Sequence, residues 1–286
     1  MTIQGRQLLP SDIEAIRHLI ADNPDWHRTR LSKELCALWD WRTEKGLLKD
    51  MACRSMLRKI EQKGFITLPI AHHSGNRKRR IPDVPHDCDA IQTDLHAIRP
   101  IQLVSTQGDQ AVNDLFHCLM DRYHYLGFKG HVGEHMKYIA FDRYNRPIAC
   151  LLFGSAAWKI APRDRFISWD RATRRRNLHL LTNNTRFLIL PWIRVPHLAS
   201  FVLGASLRRL RKDWSEKYGH DLCMVETFVD RSRFAGTCYL AANWIRVGHS
   251  KGRSRQDRHH QLQVPIKDIL VYPLTRDYKR QLCGCP

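Results

Sequence analysis

Long apolar runs and regularly spaced metal ligands are both missing from this sequence. No segment approaches the roughly 18 consecutive apolar residues that a membrane-spanning helix requires, and the N-terminus has no apolar core of a secretion signal. The nine cysteines stand singly, apart from Cys283 and Cys285, and the histidines show no HExxH spacing. We therefore expect a cytoplasmic protein with no metal site and no membrane contact.

Acidic residues are scarce relative to basic ones. The 286 residues include 47 Lys and Arg against 28 Asp and Glu, which gives a formal net charge of +19. Such an excess favours a polyanionic partner, most often DNA or RNA. The hydrophobic fraction of 43% is sufficient for a core, and the length suits two domains or one domain with an extension.

Residues 1–69 have the pattern of a small helical domain. Three amphipathic segments are followed by residues 65–68, which alternate like a short strand. This is the element order of a winged helix-turn-helix domain. Because the third helix would then enter the major groove, we predict that Arg54, Arg58 and Lys59 contact nucleic acid. A packing or dimerisation module with a solvated basic face fits the same pattern.

Residues 70–100 are predicted to be a basic linker, because they combine glycine and several prolines with a run of cations. Such a run neutralises phosphates without recognising a base sequence. Further cations cluster in the C-terminal region. The linker and C-terminal residues that we predict to contact nucleic acid are Arg77, Lys78, Arg79, Arg80, Arg174, Arg175, Arg176, Lys251, Arg253 and Arg255.

Residues 101–286 are predicted to form one mixed domain. A tight turn at residues 143–147 joins two apolar strands, and the segment 186–250 alternates strand, helix, strand, short helix and strand. Polar residues cluster at its turns. The whole chain is therefore expected to be α+β, with a winged-helix-like domain followed by a mixed sheet with flanking helices.

Two carboxylates lie on one strand of this segment. Asp230 follows the apolar sequence ETFV at a strand end, where it can act as a base or cap the next turn. Glu226 lies four residues earlier and hence on the same face. A carboxylate within an apolar strand needs a partner or a function. A structural ion pair with an arginine is favoured over catalysis for Glu226.

Several segments resemble the DruA family, which is known from Druantia anti-phage defence systems and from stand-alone or transposon-linked relatives. The matching segments, in order, are LCALWDWR, LKDMACRSMLRKIEQKGFITLP, YHYLG, RFLILPWIRVPHLAS, ETFVD, GTCYLAANWIRVG and VPIKDILVYPL. They span most of the chain. The resemblance implies a role in anti-phage defence or mobile-element biology, with DNA and other defence-system or transposon-encoded proteins as partners.

The C-terminal half is also similar to GNAT-type acyltransferases, and among them to Mom-like DNA-modification proteins. In these folds a central strand, here at 186–195, precedes a helix whose N-terminal amides bind the cofactor pyrophosphate. The similarity implies that Tyr239 is a general acid and that Asn243 lies at the same site. The cofactor-binding residues that it implies are Pro196, His197, Ala199 and Ser200. The glycines usual in this loop are absent, so we assign no cofactor.

Three functions follow as alternatives. The net charge and the missing glycines favour a nucleic-acid-binding component that acts without turnover. The grouping of Glu226, Asp230, Tyr239 and Asn243 favours a Mom-like transferase that modifies a base. A metal-dependent DNA cleavage or transposition protein would need a third carboxylate beside Glu226 and Asp230, and the sequence indicates none.

Overall fold

The computed structural model describes residues 2–3, 6–42, 46–69, 81–128, 130–252 and 265–284. The chain forms two compact units, Met1–Arg80 and Ile81–Pro286. Within the described ranges, no helix is both long and apolar enough to cross a membrane. Six of the cations predicted to contact nucleic acid lie outside those ranges, namely Arg77, Lys78, Arg79, Arg80, Arg253 and Arg255.

The first unit is a three-helix cluster preceded by a short antiparallel hairpin. Its elements are β1 (Thr2–Ile3), β2 (Arg6–Gln7), α1 (Pro10–Ala21), α2 (Arg28–Leu38) and α3 (Asp50–Gln62). The apolar faces of the helices meet in one core, which confirms the amphipathic pattern. The side chains at its centre are Ile16, Leu31, Leu35, Met56 and Ile60.

The predicted strand at residues 65–68 is wrong. These residues are irregular, because side chains rather than a second strand satisfy the local backbone. The carboxylate of Glu61 accepts the Leu68 N–H at 3.1 Å, and Arg28 Nε donates to the Pro69 carbonyl at 2.7 Å. The hairpin of this unit lies before α1 instead. The three helices occur as expected, whereas a winged-helix identity stays a prediction.

The second unit contains nine described strands and six described α-helices. The strands are β3 (Ile91–Gln92), β4 (Gln102–Ser105), β5 (His135–Phe141), β6 (Pro147–Ser155), β7 (Leu181–Ile189), β8 (Ile193–Arg194), β9 (Met224–Asp230), β10 (Ile245–His249) and β11 (Lys267–Pro273). The helices are α4 (Gln110–Tyr123), α5 (Ala161–Ile167), α6 (Arg171–Asn177), α7 (Leu198–Tyr218), α8 (Thr237–Ala241) and α9 (Tyr278–Cys283).

Residues 81–100, expected to belong to a linker, are packed into the second unit. Ile91 and Ile98 are buried in its main core, and β3 pairs in parallel with β8. The described part of the predicted linker therefore extends the C-terminal domain. The sequence of this segment is dominated by prolines and polar residues, so the core positions of Ile91 and Ile98 could not be recognised from its composition.

The main sheet has seven strands in the order β10-β11-β9-β7-β6-β5-β4. Every neighbouring pair is antiparallel except β7 and β9, which are parallel and joined through α7. A parallel connection needs a crossover of this kind, because the chain must return to the starting edge. The expected α+β class, with a mixed sheet and flanking helices, is confirmed.

The predicted turn between β5 and β6 is also confirmed. The carboxylate of Asp142 accepts the backbone N–H groups of Tyr144 and Arg146, both at 2.9 Å, and Asn145 adopts a left-handed backbone with φ +60°. Asparagine tolerates this conformation better than most residues. The turn fixes the register of two strands that are buried along almost their whole length.

Candidate functional site: a cleft between two parallel strands

The two parallel strands at the centre of the sheet pair along only part of their length. The register runs from Leu181–Met224 to Asn184–Thr227 and stops there, although β7 and β9 both continue. At the same level, the register between β6 and β7 skips Thr185, which marks a bulge. The carboxyl ends of the two strands therefore separate, and such ends are where α/β sheets open to ligands.

A cavity of about 580 Å³ lies in this opening, within the size range of small-molecule sites. We call it the β7/β9 cleft. Four segments form most of its lining: the end of α4 with the residues after it, the second half of β7, the end of β9, and the turn leading into α8 with the first residues of that helix. Pro191 and Ala199 complete it. Among the predicted catalytic residues, Asp230 and Tyr239 line the cleft, whereas Glu226 and Asn243 do not.

Tyr239 is fixed in the wall of the cleft by a hydrogen bond within the protein. Its hydroxyl donates to Asn184 Oδ1 at 2.7 Å. The Asn184 amide in turn donates to the carbonyls of Leu152 at 3.3 Å and Arg186 at 3.1 Å. Burial raises the pKa of Tyr239, so the phenol stays protonated at neutral pH. Tyr239 is therefore a positioned hydrogen-bond donor, and no phenolate forms near neutral pH.

Asp230 both closes a turn and presents an ionised carboxylate to the cleft. Its Oδ1 accepts from the hydroxyl of Ser232 at 2.7 Å and from the backbone N–H of the same residue at 3.0 Å. These hydrogen bonds hold the pKa of Asp230 below its usual value. The turn-capping role considered from the sequence is thus present. The same bonds keep the carboxylate charged at neutral pH.

Two basic groups in the cleft were not predicted from the sequence. His124 is buried, accepts the Leu126 N–H on Nδ1 at 3.2 Å, and has its pKa lowered to about 4 by burial and by the charge of Arg186. It is therefore neutral at pH 7. Histidine is so often a packing residue that its place in the motif YHYLG carried no signal for the cleft.

The guanidinium of Arg186 is one cation of the cleft wall, and Arg233 supplies another. It donates from Nη1 to the carbonyl of Thr185 at 2.8 Å, while Nε is buried and has no hydrogen-bond partner among the described residues. No carboxylate of the described ranges lies within 4.0 Å of it, and burial lowers its pKa. Buried donors without partners cost free energy, so this group is suited to an anionic or carbonyl oxygen.

Glu226 belongs to a buried ion cluster outside the cleft. Its carboxylate accepts from Arg163 Nη1 at 2.7 Å and from the Ala157 N–H at 2.6 Å. Arg163 also bonds Asp164 at 2.7 Å, and Asp164 bonds Arg174 at 3.0 Å. Burial raises the pKa of Glu226, while the charge of Arg163 opposes this. This corrects the catalytic assignment of Glu226 in favour of the ion pair that its apolar strand already suggested.

The same cluster corrects the assignment of Arg174 to a nucleic-acid surface. Arg174 is buried against Asp164, although Arg175 and Arg176, which follow it on α6, are exposed. A run of arginines on a helix projects in different directions, so one member turns inward. Lys251 is exposed, and Asn243 is exposed with a left-handed backbone at the end of α8.

Of the residues expected to bind a cofactor, only Ala199 lines the cleft. The hydroxyl of Ser200 donates to the His197 carbonyl at 3.0 Å, and the side chains of Pro196 and His197 are exposed. His197 adopts φ +62° at the start of α7, a conformation that glycine adopts freely. The chain thus makes the left-handed turn without the glycine that the resemblance leads one to expect.

The three cations of α3 differ in their surroundings. Arg54 forms an ion pair with Asp50 at 2.8 Å, Arg58 is exposed, and Lys59 is half-buried. Their contact with nucleic acid stays a prediction.

Comparison with known proteins identifies the family of this mixed-sheet protein with a cleft between its parallel strands. The sequence profile of the family described as Druantia protein DruA matches residues 59–266. The chain belongs to the DruA family. No curated protein of known function matches it significantly.

Two solved structures show how distant the structural neighbours are. A spermidine/spermine N-acetyltransferase of Vibrio cholerae in complex with manganese ions is 10% identical, covers 63% of this chain and 96% of its own, and has a TM-score of 0.40. A spermidine N-acetyltransferase of Vibrio cholerae in complex with CoA and spermine is 9% identical, covers 61% and 95%, and has a TM-score of 0.41. Likeness at this level assigns neither activity nor ligand.

Replacement of Arg163 by methionine is expected to destabilise the second unit by about 3–5 kcal/mol, because it leaves Glu226 and Asp164 buried without their cation. Chemical denaturation measures the loss. Arg165→Met, on the exposed side of the same helix, is the matched control and is expected to unfold like the parent. Equal stability of the two variants would contradict the structural role of the cluster.

Replacement of His197 by glycine is expected to stabilise the protein by about 1 kcal/mol, because it removes the steric cost of a left-handed non-glycine residue. The free energy of unfolding reports the gain. His197→Ala retains the strained backbone and is expected to give no such gain. If alanine and glycine stabilise equally, the effect comes from the imidazole and not from the backbone.

Proposed function

We propose that this protein is a transferase of anti-phage defence that modifies nucleic acid, with its reaction in the β7/β9 cleft. The main support for this proposal is the separation of two parallel strands around a cavity of about 580 Å³ that is lined by both Asp230 and Tyr239. The family supports a role in defence, together with other defence proteins as partners. The strand order, with one parallel pair at the centre, supports the GNAT-like arrangement implied by the sequence resemblance.

The protonation states in the cleft suit a transfer step. Hydrogen bonding keeps Asp230 ionised, while burial keeps Tyr239 protonated. Two groups whose environments push their pKa values apart are suited to the roles of acceptor and donor of a proton. Arg186 supplies a charge-assisted donor for an anionic or carbonyl oxygen of the group donor.

The proposed step transfers an acyl-type group from an activated ester or thioester to a nitrogen or oxygen nucleophile of nucleic acid. The nucleophile attacks the carbonyl carbon and gives its proton to Asp230. The bond to the leaving oxygen or sulfur breaks, and Tyr239 stabilises that atom by turning its hydroxyl hydrogen bond from Asn184 to it. The proton taken up by Asp230 passes through solvent to the leaving group, so one bond forms, one breaks and no proton is left on the protein.

Coenzyme A, the donor carrier implied by the GNAT resemblance, does not fit the residues at the start of α7. Pro196 and His197 carry side chains where close backbone approach to a pyrophosphate requires glycine, and only Ala199 of that segment borders the cleft. We therefore derive no step through coenzyme A and define the donor by its activated carbonyl group.

Nucleoside mass spectrometry of DNA and RNA from cells that express the protein tests this proposal. The parent chain is expected to produce a modified nucleoside, and Asp230→Asn or Tyr239→Phe is expected to reduce its yield by about 100-fold or more. Asparagine can still accept the hydrogen bonds from Ser232, so the turn is retained. Asp94→Asn and Tyr144→Phe are exposed controls. Absence of any adduct with the folded parent protein would refute the transferase assignment.

A second candidate function is nucleic-acid binding without turnover, and the distribution of surface cations favours it. The short helices α5, α6 and α9 pack around one small core. They carry a group of exposed cations, which we call the helical basic cluster, consisting of Arg165, Arg171, Arg175, Arg176, Lys279 and Arg280. With a net charge of +19, such a cluster suits contact with phosphates.

Binding of DNA is expected to weaken with salt, and Arg175→Gln combined with Arg176→Gln is expected to reduce the slope of log K against log salt by about 1–2. Mobility shifts at several salt concentrations provide the measurement. Arg143→Gln, an exposed arginine in the β5–β6 turn, is the control and should leave the slope unchanged. If the salt dependence of binding is the same for the parent and for the Arg175→Gln, Arg176→Gln double variant, the helical basic cluster is excluded as the interface.

A further inference from the structure

Two large aromatic side chains of the cleft lining are left half exposed. Tyr125 is 44% exposed and Phe234 is 50% exposed, and both line the β7/β9 cleft. Their ring centroids lie 5.5 Å apart with an interplanar angle of 59°. The guanidinium carbon of Arg233 lies 5.0 Å from the Tyr125 centroid. An exposed aromatic pair beside a largely apolar cavity with a few polar groups is a feature of sites that bind flat rings.

The backbone beneath both rings is held by hydrogen bonds. The carbonyl of Asp230 accepts from the N–H groups of Phe234 at 2.9 Å and Arg233 at 3.1 Å. On the other side, the carbonyl of His124 accepts from Gly127 N at 2.7 Å. Tyr125 and Phe234 therefore both belong to hydrogen-bonded turns, and this order lowers the entropic cost of binding a ligand against their rings.

The polar groups beside the rings differ in their capacity to contact a ligand. The Asn184 amide is fully engaged with Tyr239 and with two backbone carbonyls. Among the described residues, the Asp230 carboxylate accepts hydrogen bonds only from Ser232, and it lines the same cleft as Tyr125. A carboxylate beside an aromatic ring is suited to accept N–H groups from a stacked heterocycle.

Resting on the proposed function above, we propose that Tyr125 and Phe234 bind an unstacked nucleobase that carries an exocyclic amino group, and that Asp230 accepts a hydrogen bond from this amine. An enzyme that acts on a base takes it out of the helix or selects it from a single strand, and holds it against aromatic rings. Arg233 adds a cation beside the platform for the ribose-phosphate backbone. Thymine and uracil lack the amine and are bound more weakly.

The test uses the full chain and a short single-stranded oligonucleotide with one 2-aminopurine between abasic sites and a dye at one end. 2-Aminopurine is an amino purine whose emission falls when it stacks. Anisotropy of the end dye measures binding, and 2-aminopurine emission measures stacking. The parent protein is expected to quench the emission. Tyr125→Ala combined with Phe234→Ala is expected to abolish the quenching and to weaken binding about tenfold or more.

Two variants separate ring stacking from other effects. Tyr125→Phe keeps the ring and is expected to keep the quenching. Tyr144→Ala removes an aromatic of similar exposure, which lies near Arg143 and Arg146 in the β5–β6 turn, and is expected to behave like the parent. An unlabelled competitor that has thymine in place of 2-aminopurine should displace the probe less well than one with 2-aminopurine, and this preference should be lost in Asp230→Asn.

The proposal is overturned if the Tyr125→Ala, Phe234→Ala double variant quenches the 2-aminopurine emission like the parent, or if Tyr144→Ala loses as much quenching as that double variant. It is also overturned if the parent protein binds the oligonucleotide and leaves the emission unchanged. None of these measurements requires a group donor. If quenching depends on Tyr125 and Phe234 but cells contain no modified nucleoside, the transferase function is refuted and the base-binding site is still supported. A modified nucleoside whose yield is unaffected by the alanine pair would refute the base site alone.

Discussion

The end of the β7–β9 pairing is the constraint on which the rest of the second unit depends. At the last paired position, the hydroxyl of Thr227 donates to the Asn184 carbonyl at 3.0 Å, and the Asn184 side chain receives Tyr239. Hydrogen bonds from Thr227 and Tyr239 thus hold Asn184 just before the two strands separate. Because the carboxyl ends cannot pair further, their polar edges face a cavity. The same junction anchors α8 through the hydrogen bond from Tyr239 to Asn184.

The chain uses its excess of arginine in two different environments. Arg163 and Arg174 lie inside and neutralise Glu226 and Asp164, so their charge supports the fold. The helical basic cluster lies outside, on the exposed faces of α5, α6 and α9. Arg186 is intermediate, since it is half-buried without a carboxylate partner among the described residues. The net charge therefore overestimates the number of cations on the surface, because buried arginines such as Arg163 and Arg174 cannot contact DNA.

Local patterns predicted the elements, and long-range packing decided what the patterns left open. The β5–β6 turn, the long helix after β7 and the strand with Glu226 were predictable from turn chemistry and periodicity. Residues 65–68 alternate like a strand, but their hydrogen bonds go to side chains. Residues 81–100 look like a linker, but two isoleucines anchor them. The cleft residues His124 and Arg186 could not be identified from the sequence, because the bulge at Thr185 and the strand separation leave no local signature.

The single parallel pair also decides which strand of the sheet is covered. Strands β4 to β7 are antiparallel neighbours in chain order, whereas β9 pairs with β7 across the whole of α7. Without β9, β7 would be an edge strand with unpaired N–H and C=O groups, a surface on which chains can associate. Pairing across a long connection costs more loop-closure entropy than pairing of adjacent segments. The pairing whose early end opens the cleft is therefore also the pairing that covers this edge.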